Sequence, residues 1–123
     1  MARILYADDN ADLRDSFARF APRFGHDIVT VDDAARAWEL LESGEQFDLI
    51  ISDLEMPEMD GLTFLKKVRG ESRTKTIRFV LISGRNKTPD GQDLTKFCTD
   101  SGASFFRKQD LIIPDLISAL LPI

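Results

Sequence analysis

Four short apolar runs in this chain each stop at a polar residue. RILYA stops at Asp8 and Asp9, the LIIS run at Asp53, FVLI at Ser83 and SFFR at Lys108. An apolar run closed in this way reads as a buried strand whose carboxyl end meets solvent. Helical signals fill the intervals between the runs. Strict alternation of strand and helix argues for a parallel sheet covered by helices on both faces, because each parallel connection must cross over the sheet.

The elements follow from local pattern. Arg3–Ala7 is the first strand. Leu13, Phe17, Phe20 and Phe24 then recur at helical spacing up to Gly25. Asp27–Val31 is a second strand, and Asp32 or Asp33 caps a helix that buries Ala34, Trp38 and Leu41 and ends at Gly44. Asp48–Asp53 is apolar on both faces and therefore central. Pro57 and Asp60-Gly61 mark a loop, with Asp60 capping a helix over Gly61–Val68. Arg78–Ser83 is the fourth strand, and a breaker-rich loop over Gly84–Asp90 follows. Leu94, Phe97 and Cys98 belong to a short helix ending by Gly102, and Ser104–Arg107 is the fifth strand. Pro114 opens a last helix that buries Leu116, Ile117, Leu120 and Leu121. The expected fold is α/β: a doubly wound, five-stranded parallel sheet of flavodoxin-like (βα)5 type, with residues 1–123 as one domain.

Bulk properties narrow the setting. A net charge of −5 speaks against nucleic acid as a direct partner. Cys98 is the only cysteine, so no internal disulfide forms, and a reducing cytoplasm is expected. No apolar stretch approaches the roughly 20 residues of a membrane helix, and acids arrive too early in MARILYADD for a signal peptide.

In an open parallel sheet ligands bind at the carboxyl ends of the strands. Asp8, Asp9 and Asp53 would converge there with the Ser83 hydroxyl and the Lys108 ammonium. Clustered carboxylates raise one another's pKa unless a cation joins them, and Mg2+ (or Mn2+) suits an all-oxygen set that also takes phosphate oxygens. Asp53 stands on a rigid central strand, a good place for a nucleophile that forms an aspartyl phosphate. Lys108 and Ser83 have the chemistry to stabilise a transferring phosphoryl group.

These residues stand in ILYADDN (4–10), DLIISDLEMPEMDGLTFL (48–65), VLISG (80–84), GASFF (102–106) and Lys108. Together the segments resemble the receiver domain of two-component response regulators, over essentially the whole chain. The resemblance implies that Asp53 is the phosphoacceptor and that Asp8 and Asp9 hold Mg2+. It implies that Glu55 adds its backbone carbonyl to the metal, that Ser83 donates to one phosphoryl oxygen and that Lys108 pairs with another. It places Phe105 in an aromatic switch slot. The chain departs from the family pattern at Gln109, where a proline in a cis bond is usual. A cis bond before a non-proline residue costs about 3–4 kcal/mol, so the Lys108 loop is either trans or strained. Phe105 lacks the hydroxyl of the commoner tyrosine. The segment Asn86–Asp93 is longer than usual, and Glu55 and Arg85 are placed to pair across the mouth of the site and slow attack by water.

The implied function is a phosphoacceptor module that catalyses only its own phosphorylation and dephosphorylation. A sensor histidine kinase or histidine phosphotransfer protein would supply the phosphoryl group. An output protein or a second copy would read the face of the fourth helix, fifth strand and fifth helix, with no direct nucleic acid and no membrane. The alternatives are a receiver-like interaction module that never takes phosphate, and a receiver excised from a larger regulator or hybrid kinase. An aspartate-nucleophile phosphatase would carry its nucleophile on the first strand and need a cap, for which no insertion exists. A flavin protein would need a Ser/Thr/Gly-rich phosphate loop after the first strand. His26 reads as a bland loop residue, Cys98 as a small buried hydrophobe and Trp38 as core. The basic run from Lys66 to Arg78 reads as a solvated helix end and loop.

Overall fold

The computed structural model describes residues 2–88 and 90–120, with the backbone alone for residues 119 and 120. Five parallel strands form one sheet in the order β2-β1-β3-β4-β5. They are β1 (Arg3–Ala7), β2 (Asp27–Val31), β3 (Leu49–Asp53), β4 (Arg78–Ser83) and β5 (Ser104–Arg107). The helices are α1 (Ala11–Phe20), α2 (Ala34–Glu42), α3 (Gly61–Gly70), α4 (Leu94–Asp100) and α5 (Ile113–Leu120). All five residues of β3 are buried, as its position at the centre of the sheet demands.

Strand alternation divides the core into two layers. Leu5, Ala7, Ile50, Phe79 and Leu81 face α2, α3 and α4. Ile4, Tyr6, Leu49, Ile51, Val80 and Ile82 face α1 and α5, where Phe17, Leu116 and Ile117 meet them. Leu121 and the Leu120 side chain, expected on the same buried stripe, lie outside the described residues. The chain order reverses between β1 and β3, and in this fold a ligand crevice opens at that switch point. Among the described residues no helix is long and apolar enough to cross a membrane.

Several boundaries differ from the sequence expectation for physical reasons. The α1 stripe does not run as one helix to Phe24; the chain tightens into a 3-10 turn over Ala21–Phe24. Pro22 has no N–H with which to continue the α-helical ladder. Gly25 then adopts φ 81°, which closes the turn. β3 starts at Leu49, because Asp48 instead latches the start of β1: its Oδ2 accepts from Arg3 N at 2.8 Å. Asp33 rather than Asp32 caps α2, accepting from Arg36 N at 2.7 Å. Asp60 caps α3 as expected, and that helix runs on to Gly70.

Two parts of the surface are more structural than their sequence suggests. His26 is buried, and its Nδ1 accepts from Ala2 N at 3.0 Å, tying the chain's start to the turn before β2. Within the basic run, Arg69 binds carbonyls from two separate turns: Nε donates to Ser101 O at 2.8 Å and Nη1 to Ile77 O at 2.7 Å. Weaker bonds run to Lys75 O and Gly102 O, and burial lowers the guanidinium pKa. Arg69→Ala is expected to cost about 2 kcal/mol in urea unfolding, since it strands carbonyls that a charged donor satisfied. Arg69→Lys should recover only part, because a lysine lacks the fork.

Candidate functional site

Of the predicted residues, Asp8, Asp9, Asp53, Glu55, Ser83 and Lys108 meet at the carboxyl ends of β1, β3, β4 and β5. Asp8 follows β1 and is fully buried. Its backbone is held from both sides: Asp8 N donates to Val31 O at 3.1 Å, and Arg14 Nη1 of α1 donates to Asp8 O at 2.7 Å. Its carboxylate is equally committed. Oδ1 accepts from Asn10 N at 2.9 Å, and Oδ2 accepts from the Tyr6 hydroxyl at 2.6 Å. Asn10 in turn caps α1 by accepting from Leu13 N at 3.1 Å. The chain thus leaves β1 and turns into α1 immediately, and this turn lets the adjacent Asp8 and Asp9 serve one site. Asp9 is exposed.

Asp53 ends β3 and is 4% exposed. Lys108, in a 3-10 turn just after β5, bridges the two buried acids. Its Nζ lies 3.2 Å from Asp53 Oδ1 and 3.3 Å from Asp8 Oδ2. Burial raises the Asp53 pKa from 3.8 to about 6, and the neighbouring Asp8 charge adds to this; Lys108 opposes both without cancelling them. Burial alone would lower the Lys108 pKa, but Asp53 and Asp8 outweigh it and the net shift is upward. Burial also raises the Tyr6 pKa, reinforced by its bond to Asp8, so the phenol keeps its proton.

Ser83 closes β4 at 1% exposure. Its Oγ accepts from Arg85 N at 3.0 Å, which leaves the hydroxyl proton free to donate. The Arg85 guanidinium then folds back to Glu55, Nε to Oε1 at 2.9 Å, so the pair expected from the sequence is formed. Asp9, Asp53, Glu55, Ser83, Gly84, Arg85 and Lys108 line one cavity of about 450 Å³. The Lys108–Gln109 peptide is trans, and Lys108 still reaches both acids. The Gln109 carboxamide sits between Gly84 O and the Arg107 guanidinium. Phe105 does not line the cavity; it is half-buried opposite Leu81 and packs on the layer that contains Leu94 and Cys98. Before α4, Thr88 N donates to Gln92 O at 2.9 Å and Asp93 caps the helix.

Carboxylate oxygens of Asp8, Asp9 and Asp53 lie within 4.8 Å of one another. Three hard oxygen donors on rigid strand ends fit a divalent cation that retains several waters. The residues that sequence reasoning missed are Tyr6, Asn10 and Arg14, all serving Asp8. Tyr6 carried a signal: residues two apart on a strand share a face, so a phenol two before a buried acid is within its reach.

Residues 4–115 match the response regulator receiver domain. The chain is 34% identical to chemotaxis protein CheY1 of Helicobacter pylori over 82 residues, 66% of each chain. With two-component response regulator ORR3 of Oryza sativa it shares 32% identity over 103 residues, 84% of this chain and 76% of that one. For the chemotaxis relatives the alignment spans slightly less than two-thirds of their length. The structure of CheY4 from Vibrio cholerae superposes with a TM-score of 0.81 at 26% identity, covering 98% of this chain and 96% of that one. Fold and family match agree, and the chain belongs to the response regulator receiver domains of two-component signalling.

Proposed function

We propose that residues 1–123 act as one cytoplasmic receiver module whose Asp53 accepts a phosphoryl group from a phosphohistidine. The donor is a sensor histidine kinase or a histidine phosphotransfer protein. The observation that carries this reading is the Lys108 ammonium shared between two buried carboxylates from β1 and β3. Asp53 attacks the phosphorus; the new P–O bond forms as the P–N bond breaks, and the electron pair leaves on the imidazole nitrogen. Lys108 turns from the acids to one phosphoryl oxygen, and the Ser83 hydroxyl donates to another. Asp8, Asp9, Asp53 and the Glu55 backbone carbonyl would hold Mg2+ (or Mn2+), which neutralises part of the charge gathered there. Once the group is on Asp53, Ser83 is drawn inward, Phe105 follows, and the face of α4, β5 and α5 changes for an output protein or a second copy.

The test is intact mass of the wild type and of Asp53→Asn after incubation with acetyl phosphate, with and without Mg2+. One phosphoryl mass is expected only where Asp53 and Mg2+ are both present. Folded wild type that gains nothing, even from a phosphohistidine donor, leaves an interaction module that works without phosphate.

The Glu55–Arg85 pair bears on the lifetime of the phosphoryl group. Both side chains are more than half exposed, so the pair adds little to stability. Their place over the cavity mouth limits the approach of water instead. Glu55→Ala and Arg85→Ala are each expected to speed loss of label from phospho-Asp53 about two- to tenfold, with unfolding midpoints unchanged. Unaltered decay in both variants would remove this role.

A further inference from the structure

We propose that Tyr6 is a positioning residue for the cation site, its buried hydroxyl holding the Asp8 carboxylate ready for a divalent metal. The inference rests on the reading of Asp8, Asp9 and Asp53 as that site.

Tyr6 is the only tyrosine in the chain and is fully buried. Its ring packs on Phe17, centroids 4.3 Å apart, in the core layer between the sheet and helices α1 and α5. Among the described residues, the other side chains buried in that apolar layer are aliphatic or phenylalanine. Phenylalanine would fill the same volume without a polar atom to satisfy. A buried phenol needs a partner, and this one has the Asp8 carboxylate at 2.6 Å, the length of a charge-assisted O–H···O bond.

The remaining partners of Asp8 show why this bond matters. Asn10 N holds Oδ1, while Oδ2 is shared between the Tyr6 hydroxyl and the Lys108 ammonium. Lys108 also binds Asp53 and is the member that phosphoryl transfer draws away. The Tyr6 hydroxyl is anchored by its buried ring and has no such second task. It holds Oδ2 whether or not Lys108 stays, so an arriving cation meets a carboxylate already oriented and the ligand keeps its place when transfer later draws Lys108 away. Partners that orient a metal ligand in this way typically contribute 10–100-fold in affinity.

Mn2+ serves as the probe, with its dissociation constant read from the electron paramagnetic resonance signal of the free ion. Tyr6→Phe is expected to weaken binding about tenfold, and to lower the urea midpoint because buried Asp8 loses a charge-assisted bond. Phe17→Leu, which removes the packed ring and keeps the hydroxyl, should lose stability and keep its Mn2+ affinity. In the wild type, the Cζ carbon resonance of Tyr6 should move with added Mg2+ and saturate at the metal-binding midpoint, a readout that needs no variant to fold. Tyr6→Phe affinity within about twofold of wild type, or a Tyr6 resonance indifferent to saturating Mg2+, overturns the inference. Wild type that binds no Mn2+ removes the cation reading itself, and that outcome is visible before any variant is compared.

Discussion

Gly61→Ala is expected to cost about 3 kcal/mol or more and to impair Asp53 without touching its side chain. A Cβ built on Gly61 would lie 2.3 Å from Asp53 O and 2.7 Å from Leu81 Cδ1. The first of these is backbone against backbone, so no rotamer change relieves it. Gly61 N also donates to Leu54 O at 2.8 Å, which pins the start of α3 against the end of β3. The helix or the strand end must therefore shift by about an ångström, and a displacement of that size at a reacting group can lower the rate about 100-fold. Urea unfolding and the rate of phosphoryl gain from acetyl phosphate measure the two effects. Gly70→Ala is the control: nothing lies within 4 Å of its added Cβ, and alanine is the better helix former, so it should be neutral or slightly stabilising. Near wild-type stability and rate in Gly61→Ala would mean that the close approach does not constrain the acceptor.

Strand ends were legible in the sequence because β1, β3 and β4 are buried on both faces, so their apolar runs stop where solvent begins. Asp8, Asp53 and Ser83 could be located by that rule alone; Lys108 follows the half-exposed β5 and stood out only with the resemblance, and the parallel connections bring all four together. The Asp60 cap was legible because a cap acts within one turn of its own residue. Arg69 was not, since its carbonyl partners lie in turns before β4 and β5 that only the folded sheet brings near. His26 was hidden for the same reason: nothing local distinguishes a histidine that accepts from Ala2 N from one in solvent. Tyr6 looked like one more strand residue, because its apolar ring satisfies the core pattern and only its hydroxyl serves the site. The overrun of α1 to Phe24 had a different cause. Helical periodicity persists through a 3-10 turn, and Pro22 was the local signal against it.

Asp53→Asn should make the metal-free protein more stable at neutral pH even as it abolishes phosphoryl acceptance. The Asp53 pKa is about 6 in the folded chain against an ordinary 3.8, with burial the larger cause and the Asp8 charge the next. A group that holds its proton more tightly when folded contributes stability that is fully present below the unfolded value and is lost as pH rises through the folded one. Wild type in a chelating buffer should therefore lose up to about 3 kcal/mol from this group between about pH 4 and pH 6. The carboxamide introduced by the substitution keeps the shape of the carboxyl group and carries no charge, so the variant lacks that loss. The two proteins should match near pH 4, and the variant should lead by about 2–3 kcal/mol at neutral pH in urea unfolding. A gap that is absent at neutral pH, or that widens toward acid, contradicts this account. Mg2+ acts in the opposite direction. A cation bound only to the folded chain stabilises it by mass action, and removing one of three carboxylates weakens that binding. Saturating Mg2+ should then raise the wild type more than Asp53→Asn and narrow the gap. The unfavourable charge that Asp53 carries in the metal-free site is thus the same charge that makes the site attract a metal.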